Sequence, residues 1–275
     1  EGGGLGKFRP DEVGPASVHA RTGAFDVVVK DESAATALAK RIVHIVKRSD
    51  SAESTRETDL KPLLPGDRRG VFDVSAIIEG VFDENSFINL KSEYAPNLIS
   101  GFARLNGRAV GVLANNCQLM GGAIDGDAAD KAAHLLDLCQ LHSLPVISLI
   151  DTPGFMVGPE AEKTALVRHT ARLFTAGAAI KIPFFTVVLR KAYGLGSMAM
   201  AAGGMHQPFF TVSWPTGEFG GMGLEGAVRL GYRKELEAIA DLEEREATFQ
   251  KMVAAAYQHG KAINTASYLE IDEVI

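Results

Sequence analysis

The apolar pattern near the start of the chain predicts a small unit with one strand and one helix. Residues 25–29 (FDVVV) form a short β-rich run, which predicts a strand. Apolar residues then recur every three or four positions, which predicts a helix over 34–48 with Asp31 or Ser33 as its N-cap. Residues 49–70 are polar, lack this periodicity and contain two prolines, which predicts an interdomain linker.

From residue 71 onward, short apolar runs alternate with stretches of helical periodicity. The pair Asn106-Gly107 separates two such runs and predicts a hairpin turn. Strands that alternate with helices through short connections indicate a layered β/α fold. The predicted strands are 87–90, 99–105, 108–115, 145–150, 184–189 and 211–214; the predicted helices are 74–82, 128–142, 161–178, 198–204 and 233–259, the last with room for one break.

Charge and composition exclude some classes of function. The chain carries 28 Lys and Arg against 34 Asp and Glu, a formal net charge of −6. Because phosphate backbones require a basic surface, this balance argues against nucleic acid as the main partner. No apolar run approaches the roughly 20 residues of a membrane span, and no signal peptide is recognisable. We therefore expect a cytoplasmic protein, or a mitochondrial-matrix protein if the source is eukaryotic.

Three glycine-rich segments, 119–125, 151–155 and 190–197, follow predicted strands. Ligands of β/α proteins usually bind at the carboxyl ends of strands. Glycine-rich loops before helices expose backbone N–H groups, and a helix start adds partial positive charge. Taken singly, each segment is explained more simply by tight turns. Together they indicate stabilisation of an oxyanion on a carbonyl or urea oxygen by main-chain amides.

Side-chain chemistry has less support. Ser197 has Leu195 and Ala199 where a GxSxG elbow has its two glycines, and GLGSMA has Ala199 where a dinucleotide fingerprint has its third glycine. Cys117 and Cys139 lack a CxxC spacing and are predicted to be buried, reduced thiols, with no metal site. Most histidines lie in helical patterns that favour packed or solvated roles; His206, after two glycines, is harder to dismiss.

Several ordered motifs carry a family resemblance. The run LRKAYGLGSMAM at 189–200 is similar to an RKAYGGA-type loop, and SWPTGEFGGMGLEGAV at 213–228 to a WPTAE…MG.EGAV segment. DTPGF at 151–155 is similar to a DxPGF loop, and AIDGDAADKAA at 123–133 to a GxLDxxAxDKAAR-like helix. These are motifs of the carboxyltransferase β chains of propionyl-CoA and related acyl-CoA carboxylases, and the chain resembles that family along nearly its whole length.

The resemblance implies an α/β fold of the crotonase-like (ClpP/crotonase) β/α superhelix type. It implies that 1–48 is the tail end of an N-terminal carboxyltransferase half, 49–70 a linker, and 71–275 the C-terminal, biotin-side domain, truncated at its end. Both ends are predicted to be cuts through a longer polypeptide. The implied reaction moves a carboxyl group from carboxybiotin to the α-carbon of an acyl-CoA, and the isolated chain is expected to be inactive.

The resemblance also implies roles for individual residues. The backbone N–H groups of Leu195 and Gly196, in a loop that starts at Gly194, would form the oxyanion hole for the urea oxygen of biotin. The implied biotin and acyl pocket consists of Tyr193, Ser197, Met198, Phe155 and Gly154, and a secondary glycine loop consists of Gly121, Gly122 and Ala123.

Two residues depart from the family pattern. Leu195 replaces a glycine, which could restrict the loop or narrow the pocket. Met198 stands where the family lines its acyl pocket, often with Asp or an aliphatic residue. An apolar wall at this position predicts a preference for longer or branched acyl groups over polar ones.

The resemblance implies cofactors and partners too. Biotin would arrive as carboxybiotin on a partner carrier domain, the substrate would be a coenzyme A thioester, and no metal is implied. Biotin carboxylase and biotin carboxyl carrier subunits or domains would be partners, within a hexamer built as a dimer of trimers. Two alternatives stay open: a biotin-linked decarboxylase of malonyl-type thioesters, and a non-catalytic assembly module of the same fold.

Overall fold

The computed structural model describes residues 3–4, 6–47 and 58–275. One mixed sheet organises this part of the chain. An antiparallel meander forms one edge of the sheet, and parallel strands continue it, in the order β1-β2-β3-β4-β5-β6-β8 with β7 paired to the end of β5. The strands are β1 (Ile88–Leu90), β2 (Leu98–Leu105), β3 (Arg108–Asn115), β4 (Val146–Thr152), β5 (Phe184–Tyr193), β6 (Phe210–Ser213), β7 (Glu218–Gly220) and β8 (Glu273–Val274).

Helices connect and cover these strands. Among the described residues, no helix combines the length and the apolar character that crossing a membrane requires. The helices are α1 (Ala16–Arg21), α2 (Glu32–Val46), α3 (Val74–Val81), α4 (Gly126–His142), α5 (Pro159–Lys163), α6 (Leu166–Ala179), α7 (Gly194–Met200), α8 (Leu224–Gly231), α9 (Arg233–Ala238), α10 (Leu242–His259) and α11 (Ala262–Ser267).

The sheet separates two apolar cores. Because side chains alternate across a strand, neighbouring residues Val112 and Leu113 of β3 face opposite cores. The core on the Leu113 side includes α4 and Ile45 of α2, and the core on the Val112 side includes α3. The sheet is therefore covered on both faces, and the carboxyl ends of β3, β4 and β5 meet at one edge.

Most predicted elements are confirmed. Asp31 caps α2, its side chain accepting a hydrogen bond from the Ala34 amide. Asn106 and Gly107 both have positive φ, at 51° and 74°, as a tight hairpin turn requires. The predicted helix 233–259 is broken once, between α9 and α10, and both cysteines are free and buried.

Three element predictions are wrong. Residues 25–29 form no strand: the Lys91 amide, directly after β1, donates to the Asp26 carbonyl, but the run forms no ladder. The predicted helix 161–178 is two helices, since Ala165 has a left-handed φ of 57°. The helix predicted at 198–204 begins four residues earlier, at Gly194, and ends at Met200.

The predicted division of the chain is partly visible. Residues 48–57 lie outside the described residues, so the first part of the predicted linker has no structural account. In its second part, Leu63 and Leu64 pack against the core on the α3 side. The boundaries at 48 and 70 stay predictions.

Candidate active site

The three predicted glycine segments come together at the carboxyl edge of the sheet. A Cβ on Gly122 would clash with the carbonyl oxygen of Asp151, and one on Gly196 would lie 2.6 Å from the carbonyl carbon of Gly154. Only glycine permits backbones to approach this closely. The segments after β3, β4 and β5 are therefore in direct contact.

Hydrogen bonds fix the first two segments to each other. The Ile124 amide donates to the Gly154 carbonyl at 3.0 Å, and the Met156 amide donates to the Ile124 carbonyl at 2.8 Å. The Gly154 amide also donates to the Thr152 hydroxyl at 3.1 Å. Gly154 itself needs its φ of 122°, which L side chains rarely adopt. The DTPGF segment is thus a rigid support for whatever packs above it.

The third segment is not the loop that the sequence predicts. Residues up to Tyr193 belong to β5, and Gly194, with φ 59°, opens α7 directly. The prediction failed because glycine spacing indicates a loop, whereas here a single left-handed glycine turns the strand into a helix. Leu195 and Gly196 therefore lie in the first helical turn.

The amino end of α7 presents main-chain donors. N–H groups in the first turn of a helix have no acceptor four residues back. Within the described part of the chain, the amides of Leu195 and Gly196 donate to no side chain or loop carbonyl. The Leu195 side chain is 62% exposed, and its φ is not positive, so leucine introduces no left-handed strain. The arrangement can hold a partial negative charge.

The remaining predicted pocket residues have defined surroundings. The hydroxyl of buried Tyr193 donates to Glu218 Oε2 at 2.8 Å, and the hydroxyl of buried Ser197 donates to the Gly194 carbonyl at 2.8 Å. Burial raises the pKa of Tyr193. Phe155 packs against Phe174 with ring centroids 6.1 Å apart, whereas Met198 is 41% exposed. The two hydroxyls are engaged, and the exposed groups are apolar.

A buried ionic cluster lies beneath this edge, and sequence reasoning assigned it no role. Asp151 Oδ2 accepts from Arg190 Nη2 at 2.8 Å and Asp151 Oδ1 from Arg190 Nε at 3.2 Å. Lys191 adds its amide, 3.0 Å from Oδ1. Burial acts to lower the pKa of Arg190, but the hydrogen bonds to Asp151 raise it overall. The sequence does hold one signal for this cluster: two adjacent cations lie in an otherwise apolar strand, and buried charges require partners of opposite charge.

The histidines pair outside these segments. His169 Nδ1 lies 2.8 Å from Asp130 Oδ2, joining α6 to α4, and His134 Nε2 lies 3.1 Å from Asp26 Oδ1. His206, which the sequence left open, is exposed, 3.8 Å from a carboxylate oxygen of Glu270. The carboxylates beside these three histidines therefore belong to none of the three glycine segments.

Comparison with known proteins identifies the family. The model of the carboxyl transferase domain matches residues 6–275. The chain belongs to the carboxyl transferase domain family. The methylmalonyl-CoA carboxyltransferase 12S subunit of Propionibacterium freudenreichii subsp. shermanii is 34% identical over 241 residues, covering 84% of this chain and 46% of that protein. The acetyl-/propionyl-coenzyme A carboxylase beta6 subunit of Mycobacterium tuberculosis is 32% identical, covering 88% and 52%.

Solved structures agree with this assignment. A single-chain, multi-domain long-chain acyl-CoA carboxylase matches with a TM-score of 0.90 and 45% identity, over 100% of this chain and 28% of that one. The transcarboxylase 12S structure with methylmalonyl-coenzyme A bound matches with a TM-score of 0.89 and 30% identity, over 98% and 53%. The predicted resemblance and the crotonase-like α/β fold are confirmed. The chain spans about half the length of the curated relatives it matches.

Proposed function

We propose that this chain is the biotin-side half of the carboxyltransferase of a biotin-dependent acyl-CoA carboxylase. The reaction would move a carboxyl group from carboxybiotin to the α-carbon of an acyl-CoA. One observation carries the proposal. The amino end of α7 lies at the carboxyl edge of the sheet, and in the described part of the chain the Leu195 and Gly196 amides there have no side-chain or loop acceptor. The match to the carboxyl transferase domain supports it.

The residues present suit a urea or thioester oxygen. The Leu195 and Gly196 amides would donate to that oxygen as its negative charge grows, and the partial positive charge of the helix start would add to them. Gly196 packs on the Gly154 backbone, so the donors are held before substrate arrives. When bound, biotin supplies the carboxyl group and the base for the α-proton of the acyl-CoA. Because Tyr193 and Ser197 already donate hydrogen bonds within the protein, this chain's part is binding and charge stabilisation.

The acyl group would lie against an apolar rim. Met198 follows Leu195 by three positions, so the two exposed side chains share a face of α7. Phe155 packs beside Gly196, whose Cβ position would be 2.9 Å from the Phe155 amide nitrogen. We propose that this rim favours longer or branched acyl groups, and the similarity to a long-chain acyl-CoA carboxylase supports this. The segment Gly121 to Ala123 would form the opposite side of the cleft.

The partners follow from the same proposal. A carrier domain would deliver biotin, and a biotin carboxylase subunit or domain would load it. A hexamer is proposed by analogy with the hexamer assembly of transcarboxylase 12S. Cytoplasmic location and inactivity of the isolated chain stay predictions.

The decisive experiment removes one amide. Proline is tolerated in the first turn of a helix and has no N–H. In the complete enzyme that contains this chain, Leu195→Pro and Leu195→Ala would be compared for carboxyl transfer from carboxybiotin. The ratio of their kcat values measures the contribution of the Leu195 N–H group to catalysis. We expect kcat to be lower with proline by a factor on the order of 10²–10³. Glu243→Pro, in the first turn of α10, controls for proline itself.

Other results would contradict the proposal. Equal rates for folded Leu195→Pro and Leu195→Ala would reject the oxyanion role. Release of CO₂ from a malonyl-type thioester without transfer would indicate the decarboxylase. Absence of both reactions in the correctly assembled parent enzyme would indicate an assembly module.

A further inference from the structure

Lys191 links the two glycine segments on either side of β4. Its residue lies in β5, and its main-chain amide donates to Asp151 Oδ1 at 3.0 Å. Its ammonium group donates to the carbonyl oxygen of Gly121 at 3.0 Å, in the segment after β3. Because β4 lies between β3 and β5 in the sheet, this side chain crosses one strand to reach its acceptor.

Asp151 does not need Lys191 as its counter-ion. Arg190 already binds both carboxylate oxygens of Asp151, and the two side chains are 5% and 0% exposed. The Lys191 ammonium adds a third contact, 3.3 Å from Asp151 Oδ1, and its side chain is 18% exposed. A bidentate guanidinium is the better counter-ion for a buried carboxylate. The distinctive contact of Lys191 is therefore the one with Gly121.

Local backbone bonds close the Gly121 turn, while its tip has open space around it. A Cβ on Gly121 would meet nothing within 4 Å, and both Met120 and Gly121 have positive φ, at 50° and 63°. Met120 is 49% exposed. The next residue is different, since Gly122 lies against the Asp151 backbone. The exposed tip of the turn is thus anchored through its carbonyl to Lys191.

We propose that Lys191 is a positioning residue for carboxyl transfer: it fixes the Gly121 turn relative to the amino end of α7 and so sets the width of the cleft between them. This inference rests on the function proposed above. Lys191 precedes Gly194 by three residues of continuous strand, so its position is tied to that of the α7 amides. A displacement of about 1 Å in such a site can cost about 10² in rate.

The test compares Lys191→Met and Lys191→Arg in the complete enzyme. Methionine keeps the length and loses the donor, whereas arginine keeps charge and donors. We expect kcat with Lys191→Met to fall about 10- to 100-fold, with KM for the acyl-CoA changed less than about threefold. The Lys191→Arg variant should keep most of the wild-type kcat. Lys181→Met, at an exposed lysine before the same strand, should leave kcat unchanged. Amide hydrogen exchange at residues 120–122 should accelerate in Lys191→Met alone.

Two results would overturn the inference. One is a folded Lys191→Met enzyme with normal kcat. The other is a loss of stability in which each remaining active site turns over normally, which would make Lys191 a counter-ion. The Leu195→Pro variant separates the two proposals. If it retains activity, the oxyanion assignment fails, and exchange at 120–122 still decides whether Lys191 holds the turn.

Discussion

At the scale of single residues, Lys131 shows how a buried charge organises a loop. This residue is 2% exposed, and its Nζ lies within hydrogen-bond distance of four backbone carbonyls, three in the connection between β1 and β2 and the fourth at the first residue of β2. The acceptors are the carbonyl oxygens of Lys91, Tyr94, Ala95 and Leu98, at 2.9, 2.9, 3.3 and 2.7 Å. Asn97 in the same connection donates to the Ala123 carbonyl at 2.9 Å. Lys131 and Asn97 therefore connect this loop to α4 and to the segment after β3.

Replacing Lys131 should lower the free energy of unfolding and should weaken the dependence of that free energy on pH. Lys131→Met leaves these carbonyls without their donor and should cost about 3 kcal/mol of unfolding free energy at pH 7. Burial, and next the charge of Lys91, lowers the pKa of Lys131 from 10.5 to about 7. Between these values the unfolded chain binds more protons, so the wild-type free energy of unfolding rises with pH, by up to about 1.4 kcal/mol per unit from this group.

Urea unfolding at pH 7, 8 and 9 checks both effects. The Lys131→Met variant should be less stable and should show the shallower rise. Lys251→Met, at an exposed position of α10, should match the wild type in slope and stability. Parallel slopes for wild type and Lys131→Met would contradict the depressed pKa.

Met198 decides a second prediction at this scale. A carboxylate beside an apolar acyl chain would be desolvated at a cost, so Met198→Asp should shift the preference of the complete enzyme away from long acyl groups. We expect kcat/KM for a long-chain acyl-CoA to fall about tenfold relative to that for propionyl-CoA. Competition between the two thioesters measures the ratio, and an unchanged ranking would remove Met198 from the acyl pocket.

At the scale of elements, the turn after β3 contains two neighbouring glycines with different constraints. Gly121 and Gly122 both have positive φ, at 63° and 85°. A methyl group would meet open space at Gly121 but the Asp151 carbonyl at Gly122. The turn therefore tests backbone strain and steric contact separately.

The matched pair of alanine substitutions should differ clearly. Gly121→Ala should cost about 1 kcal/mol, the price of a left-handed alanine. Gly122→Ala adds a clash with the backbone of β4 and should cost at least about 2 kcal/mol more. Thermal and urea unfolding of the two variants measure the difference; equal losses would mean that the turn moves freely away from β4.

Elements were predictable where their signals are local. The Asn106-Gly107 turn and the Asp31 cap depend on residues within four positions of each other. The break at Ala165 could not be predicted, because alanine favours the helix. In the structure this exposed residue joins α5 to α6 through local backbone bonds, its amide donating to the Glu162 carbonyl at 3.0 Å and its carbonyl accepting from the Arg168 amide at 2.9 Å. The strand prediction at 25–29 was wrong because β propensity depends on pairing along a ladder, and this run forms none.

At the scale of the whole molecule, Arg190 joins distant parts of the chain. Besides binding Asp151, its Nη1 donates to the carbonyl oxygens of Arg68 and Gly70, the former at 3.0 Å. The Arg68 guanidinium in turn stacks 3.4 Å above the ring of Tyr257 in α10. The connection before α3, the central strand β5 and α10 are thereby linked.

Removing this link should loosen the connection and the fold together. Arg190→Met leaves the Asp151 carboxylate buried without its guanidinium and should cost about 3–5 kcal/mol. Trypsin should cleave after Arg68 or Arg69 several-fold faster than in wild type. Arg233→Met, which removes only an exposed ion pair with Glu237, should change neither measurement. Unchanged cleavage in Arg190→Met would show that other contacts hold residues 68–70.

The candidate site divides in the same way as the fold. The placement of the glycine segments at strand ends could be predicted, because motifs of consecutive residues mark them, while the role of the amides at 195 and 196 stays a prediction. The pairing of Asp151 with Arg190 and Lys191 could not, since the carboxylate lies 39 and 40 positions from the two adjacent cations and meets them because β4 and β5 are neighbours. Pairing across a sheet is a property of topology that a single sequence does not display.

The direct passage from β5 to α7 limits how this region can change. Tyr193 ends the strand and Gly194 starts the helix, so no spare residue separates them. An insertion here would rotate every later helical position by about 100°. The amides of residues 195 and 196 would then turn away from the cleft while the fold persisted. The chain should therefore still fold when it is lengthened at this junction, but the enzyme should lose turnover. Gly203 offers more room, since an added Cβ there would meet nothing within 4 Å.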